Sequence, residues 1–220
     1  MKRVLFLLIL SSLLLAQKGP KEIVEKISDK YKTIEKMEMK VRIVADIPNL
    51  RMPEKTIRLY YKAPDSLKMA ASGFALLPKN GILPFMDLGN FVGDSASFDT
   101  IVTDTLNGKE MWVFTMSKPL TGPEEHITFW VNKGSEIIEK ITITNNKDIL
   151  SEISFCYQNI DGFWLPDTTR FDFYMNRRIP YALAPSITNP FGSVDIGSKE
   201  DHFNNRGEVR LIFFDFRINP

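Results

Sequence analysis

Residues 37–47 read MEMKVRIVADI, from Met37 to Ile47, and this stretch decides the fold class. Met39, Val41, Ile43, Ala45 and Ile47 fall on one side of an extended chain, and Glu38, Lys40, Arg42 and Asp46 fall on the other. A period of two with one apolar and one charged face is the pattern of a half-buried antiparallel strand. The pattern repeats at once. Ile57, Leu59 and Tyr61 alternate with Arg58, Tyr60 and Lys62. A turn at Ala63-Pro64-Asp65 then leads to Leu67, Met69 and Ala71.

Toward the N-terminus the period changes. Gly19-Pro20 opens a helix, with proline where its missing N–H costs nothing. Ile23, Val24, Ile27, Tyr31 and Ile34 recur at helical spacing, with Lys and Glu on the opposite side. The expectation is one amphipathic helix over Pro20–Lys36 that buries this stripe against the sheet. Ahead of it, Lys2 and Arg3 precede an apolar run from Val4 to Leu15 broken only by Ser11 and Ser12, and Ala16 is a small residue placed for cleavage. The run is short for a bilayer span of about 20 residues. It reads as a secretory signal peptide over 1–16, followed by a single domain over 17–220.

Toward the C-terminus, Gly73 to Gly93 holds Phe74, Leu76, Leu77, Leu83, Phe85 and Met86 among other apolar residues. Pro78, Pro84, Gly81 and Gly89 interrupt it, so neither period applies. Two readings stand: a loop packed on the core, or an apolar lid over an open sheet face. Hairpin signals then return. Phe98–Thr105 meets Met111–Met116 across Asn107-Gly108. Ile127–Val131 meets Ile137–Thr144, Ile149–Tyr157 follows, and Phe163–Tyr174 comes after Asp161-Gly162. Asn-Gly and Asp-Gly between alternating runs are strong hairpin signals. Residues 178–206 are rich in Pro, Ser and Asn and read as irregular, and Glu208–Ile218 reads as a last strand. One helix and about ten strands with short connections make a mainly β, antiparallel sheet. Its apolar face needs a cover, and the helix and the 73–93 stretch are the available ones.

Chemistry is sparse. Lys+Arg number 28 and Asp+Glu 27, so the basic excess usual for nucleic-acid binders is missing. His126 and His202 do not stand at metal-ligand spacing, and no phosphate loop or nucleophile elbow occurs. The expectation is no catalytic residue, no metal and no cofactor. Cys156, the one cysteine, lies in a strand-like stretch and is expected to be buried as a small apolar residue. Trp112 and Trp130 are expected to pack in the core.

The order of these signals resembles the LolA/LolB-like superfamily of periplasmic lipoprotein carriers. The resemblance runs through the helix ending near Tyr31-Lys32-Thr33-Ile34 and through residues 60–69, YYKAPDSLKM. It continues in Ile127 to Val131, in residues 155–162, FCYQNIDG, and in Leu165-Pro166. It implies an unclosed, strongly curved half-barrel whose concave side carries acyl chains beneath an apolar lid. It also implies periplasmic localisation after export, and membrane-bound donor and acceptor proteins as partners. Carriers of the LolA type have a lid-gating arginine just before the strand-ending proline. Here Ala63 precedes Pro64 and Lys62 stands one step earlier, which leaves a more general binder of lipid or hydrophobic ligands.

The alternating strands offer a wide apolar face that one helix is too narrow to cover. An apolar cavity is therefore expected beneath the 73–93 segment. Its sheet side is expected from Met39, Val41, Ile43, Ile57, Leu59, Tyr61 and Met69. Its lid side is expected from Phe74, Leu76, Leu77, Leu83, Phe85 and Met86. The leading expectation is a non-enzymatic carrier of lipid or lipoprotein acyl chains. The alternative is a sensor or interaction module of the same fold that binds a protein segment.

Overall fold

The computed structural model describes residues 19–48, 52–64, 66–70, 82–85, 88, 97–118, 125–145, 148–174 and 206–220. The expected signal peptide over 1–16 and most of the 73–93 and 178–206 segments lie outside the described residues.

Among the described residues one helix, α1 (Pro20–Asp29), precedes the sheet. Pro20 occupies its first turn, and Gly19 N donates back to Glu22 Oε2 at 3.2 Å. The helix is shorter than its apolar stripe predicts. After Asp29 the chain tightens to i→i+3 hydrogen bonds, Tyr31 N to Ser28 O at 3.1 Å and Lys32 N to Asp29 O at 3.3 Å. Tyr31 and Ile34 are nevertheless buried with Ile23, Val24 and Ile27. The stripe thus outlasts the helix, because tight turns keep the same side of the chain inward.

Eleven strands follow among the described residues. The N-terminal group is β1 (Lys36–Asp46), β2 (Lys55–Lys62) and β3 (Ser66–Ala70). Then come β4 (Ser97–Phe98), β5 (Val102–Leu106), β6 (Lys109–Lys118), β7 (Glu125–Asn132) and β8 (Ile138–Asn145). The last are β9 (Asp148–Ile160), β10 (Phe163–Tyr174) and β11 (Arg206–Ile218). All pair antiparallel in one sheet of order β3-β2-β1-β11-β10-β9-β8-β7-β6-β4, with β5 also on β6. The sheet is not closed and matches a half-barrel with an N-terminal helix.

Two turns carry the expected chemistry. Asn107 and Gly108 have φ of 52° and 75°, and Asp161 and Gly162 have 52° and 88°. Two consecutive residues at positive φ match the twist of the flanking strands. The expected strand Phe98–Thr105 divides into β4 and β5. Phe98 pairs with Met116 while Val102 pairs with Val113, so the chain between them leaves and rejoins the same neighbour.

The last strand lies between β1 and β10 and joins the N-terminal hairpin to the meander. Its end is tied down by Asn219. Asn219 Oδ1 accepts from the N–H of Glu35 and of Lys36 at 2.8 and 3.0 Å, and Nδ2 donates to Thr33 O at 3.0 Å.

The core occupies the inner face. Met37, Met39, Val41 and Ile43 on β1, and Val209, Leu211 and Phe213 on β11, are all buried. Cys156 is exposed, contrary to its expected burial. Phe155 faces the core, so the strand period sends Cys156 to the outer face. The two tryptophans also separate: Trp112 is partly buried against the core, whereas Lys140 Nζ lies 6.0 Å from the ring centroid of Trp130.

Candidate functional site

The expected sheet-side residues come together through register. Met39 pairs with Leu59, Val41 with Ile57, and Met37 with Tyr61 across β1 and β2. Met69 on β3 pairs with Leu59. Each pair stands on one face, so these residues form a continuous apolar wall. Met39, Val41, Ile43, Ile57 and Leu59 are at most 2% exposed, whereas Met69 at the sheet edge is 50% exposed.

Over this wall lie Leu83, Phe85 and Leu88, all buried. Phe85 is held from two directions. Its ring stacks on Tyr31 with centroids 4.2 Å apart and planes at 13°, and meets Tyr61 edge-on at 6.2 Å and 85°. Both are favourable aromatic arrangements. The two tyrosines keep their hydroxyls away from the apolar contact. Tyr31 Oη donates to Trp164 O at 2.7 Å, and Tyr61 Oη donates to Pro64 O at 3.1 Å. Of the expected lid residues, Leu83 and Phe85 therefore sit on the sheet's inner face. Phe74, Leu76, Leu77 and Met86 lie outside the described residues.

Tyr31 was legible as part of a buried stripe, but its place as the base beneath Phe85 was not. It depends on the turn after α1 and on a carbonyl 133 positions away. Burial raises the Tyr31 phenol above its ordinary pKa, and burial does the same, more completely, to Tyr157. Tyr157 Oη donates to Ile138 O at 2.6 Å. Both phenols stay neutral and serve as hydrogen-bond donors.

The apolar face continues beyond the expected site. Phe114 stacks on Phe129 at 5.4 Å, and Phe98 meets Phe114 at 6.1 Å. Within this face Thr169 Oγ1 is buried and has no hydrogen-bond partner among the described residues. Outside it, a cavity of about 420 Å3 opens on the opposite side of β1, β2 and β11, lined by residues including Glu38, Arg58, Tyr60 and Arg217.

One pairing relevant to catalysis escaped the sequence reading. Ser117 Oγ and His126 Nδ1 are 2.9 Å apart, because the two residues face each other across β6 and β7. A nucleophile needs a base that a third group orients. Among the described residues no carboxylate hydrogen-bonds this imidazole, and no group of three or more His, Cys, Asp or Glu side chains could hold a metal.

No protein-family model matches the chain, and no curated protein matches it in sequence. Solved structures do match in fold. A DUF1329 family protein from Desulfovibrio piger superposes with a TM-score of 0.57 at 9% identity, over 90% of this chain and 91% of that one. A domain assigned as an outer membrane lipoprotein-sorting protein from Vibrio parahaemolyticus gives 0.54 at 12% identity, over 90% and 91%. A LolA superfamily protein from Nitrosomonas europaea gives 0.50 at 11% identity, over 93% and 95%. The fold is LolA-like.

Proposed function

We propose that this chain, a LolA-like half-barrel, is a non-enzymatic periplasmic carrier that holds lipid or lipoprotein acyl chains on the inner face of its sheet. The observation that carries the reading is the way Phe85 is held. Among the described residues of the segment over the β1–β2 wall, Phe85 is wedged between Tyr31 and Tyr61, and Leu83 and Leu88 are buried as well. Those contacts involve no charge, so an acyl chain can replace them at little electrostatic cost. Each methylene buried contributes about 0.8 kcal/mol, so one long chain can compete with a single aromatic ring. Met39, Val41, Ile43, Ile57, Leu59, Tyr61 and Met69 form the sheet side of this site, and Leu83 and Phe85 belong to its movable side. Phe74, Leu76, Leu77 and Met86 complete that side in the proposal.

Carriage also needs export, so the proposal includes removal of residues 1–16 and exchange of cargo with membrane-bound donor and acceptor proteins. The Ser117–His126 contact is treated as a cross-strand pair without turnover.

The test is mass spectrometry of ligand extracted from natively purified protein, together with uptake of a fluorescent fatty acid. Carriage predicts an acyl lipid in the extract and saturable uptake that Phe85→Ala alters. Wild-type protein that takes up no acyl probe, with Phe85→Ala costing only stability, ends the carrier reading. Ester hydrolysis that disappears in Ser117→Ala would replace it with an enzymatic one.

A further inference from the structure

The charges of this chain nearly cancel, yet the sheet separates them. Residues at even positions of β1 point away from the core, and register continues that face across the neighbouring strands. Lys36, Lys40 and Arg42 lie on β1, Arg58 and Lys62 on β2, and Lys68 on β3. Arg217 on β11 joins the same face opposite Glu38. Apart from the half-buried Lys40, all are exposed. Against these seven cations, the described residues of the same area include two anions, Glu38 and Asp215, and Asp215 is paired with Lys40 at 2.8 Å. Among the described residues only Lys40 of the seven is held in an ion pair. The patch ends where Asp46 faces Glu208.

The middle of this face is recessed. At the bulge between Glu38 and Lys40, β11 carries an extra residue, and Asp215 takes a φ of 55°. Here the cavity of about 420 Å3 opens, lined by Arg58, Arg217, Lys40 and Tyr60 together with the acidic Glu38 and Asp215, the latter paired with Lys40.

We propose that this outer face of β1, β2, β3 and β11 docks on an anionic lipid surface, with a phosphate headgroup entering the recess between Arg58 and Arg217. The cations spread over an area roughly 15 Å by 20 Å, from strand spacing and rise, which fits a charged plane better than one small anion. Basic residues near an anionic bilayer act additively, and an aromatic ring such as that of Tyr60 suits the headgroup region. The inference rests on the carrier reading in one respect: a carrier of acyl chains must meet a membrane to exchange them. The docking face and the cargo face are opposite sides of the same strands, so each can be tested alone.

The test is co-sedimentation of the full chain with phosphatidylglycerol vesicles and with phosphatidylcholine vesicles. Binding is expected to the anionic vesicles only, and to weaken steeply as salt rises from about 0.1 M to about 0.5 M. The exposed triple variant Arg58→Gln, Lys62→Gln, Lys68→Gln is expected to bind about a hundredfold more weakly while taking up acyl probe as before. Equal binding to neutral vesicles, insensitivity to salt, or no vesicle binding overturns the proposal. So does capture of polyglutamate without vesicle binding, which would make the face a site for an acidic protein. Loss of acyl uptake in the wild type, with anionic binding intact, would sink the carrier reading and leave the docking face standing.

Discussion

Phe85 lies face to face with Tyr31, ring centroids 4.2 Å apart and planes 13° from parallel, while the Tyr31 hydroxyl is committed to Trp164 O. The residue stacked on Phe85 is therefore anchored to the start of β10 and not to the covered wall.

That anchor can be removed without touching the stack. Tyr31→Phe is expected to lose about 1–2 kcal/mol, the cost of a part-buried carbonyl left without its donor. Acyl-probe uptake should change little, because the ring remains. The sign of the pH effect follows from the raised phenol. Its stabilisation is complete below the unfolded value of about 10 and is lost as pH rises beyond it. Denaturant midpoints from neutral to alkaline pH, for wild type and variant, check both points.

A second anchor holds α1 to the β7–β8 turn. Lys26 Nζ lies 2.6 Å from Glu136 Oε1, and Lys30 Nζ lies 3.2 Å from Oε2. Partial burial alone would raise the Glu136 carboxyl, but hydrogen bonds and charge from the two lysines outweigh it and hold the pKa down to about 2. A depressed folded pKa stabilises fully above the unfolded value of about 4.3 and loses that contribution as pH falls toward about 2. The lysines are partly exposed, so Glu136→Gln should cost only about 1 kcal/mol at pH 7. The gap between the two proteins should close in acid. A gap independent of pH would show that the ion pairs contribute nothing.

Asn219→Ala tests how the last strand is seated. Three hydrogen bonds from one side chain bind the chain's end to the α1–β1 junction. Because the junction is exposed, water replaces part of the loss, and about 1–2 kcal/mol of destabilisation is expected. Amide exchange at Glu35 and Lys36 should accelerate before exchange in β9 does.

Two glycines should differ in kind. Gly162→Ala places a side chain at φ 88° with open space around it, so backbone strain of about 1 kcal/mol is the whole expected cost. Gly207→Ala has no such φ, but its new Cβ would lie 2.7 Å from the Phe173 ring. It should cost more than Gly162→Ala unless Phe173 is truncated as well. A double variant with Phe173→Leu, measured by thermal unfolding, separates the two causes.

Several readings from one dimension held because they depend on neighbours in the chain. Alternation in Met37 to Ile47 placed Met39, Val41 and Ile43 on the buried face, and Asn107-Gly108 and Asp161-Gly162 formed the turns their chemistry requires. Two expectations failed for equally local reasons. Cys156 follows the strand period outward, and α1 stops at Asp29 while its stripe continues through tight turns.

The sequence by itself determined the strand faces, the antiparallel class and the apolar character of the wall. Side-chain period and turn chemistry act over a few residues, and no distant partner can reverse them. Only the tertiary structure decided that β11 inserts between β1 and β10, that Phe85 rests between Tyr31 and Tyr61, and that seven cations share one outer face. Strand order depends on which edges remain unpaired once the hairpins have formed. Residues far apart in the chain, such as Arg58 and Arg217, become neighbours only when that order closes the gap between β1 and β10.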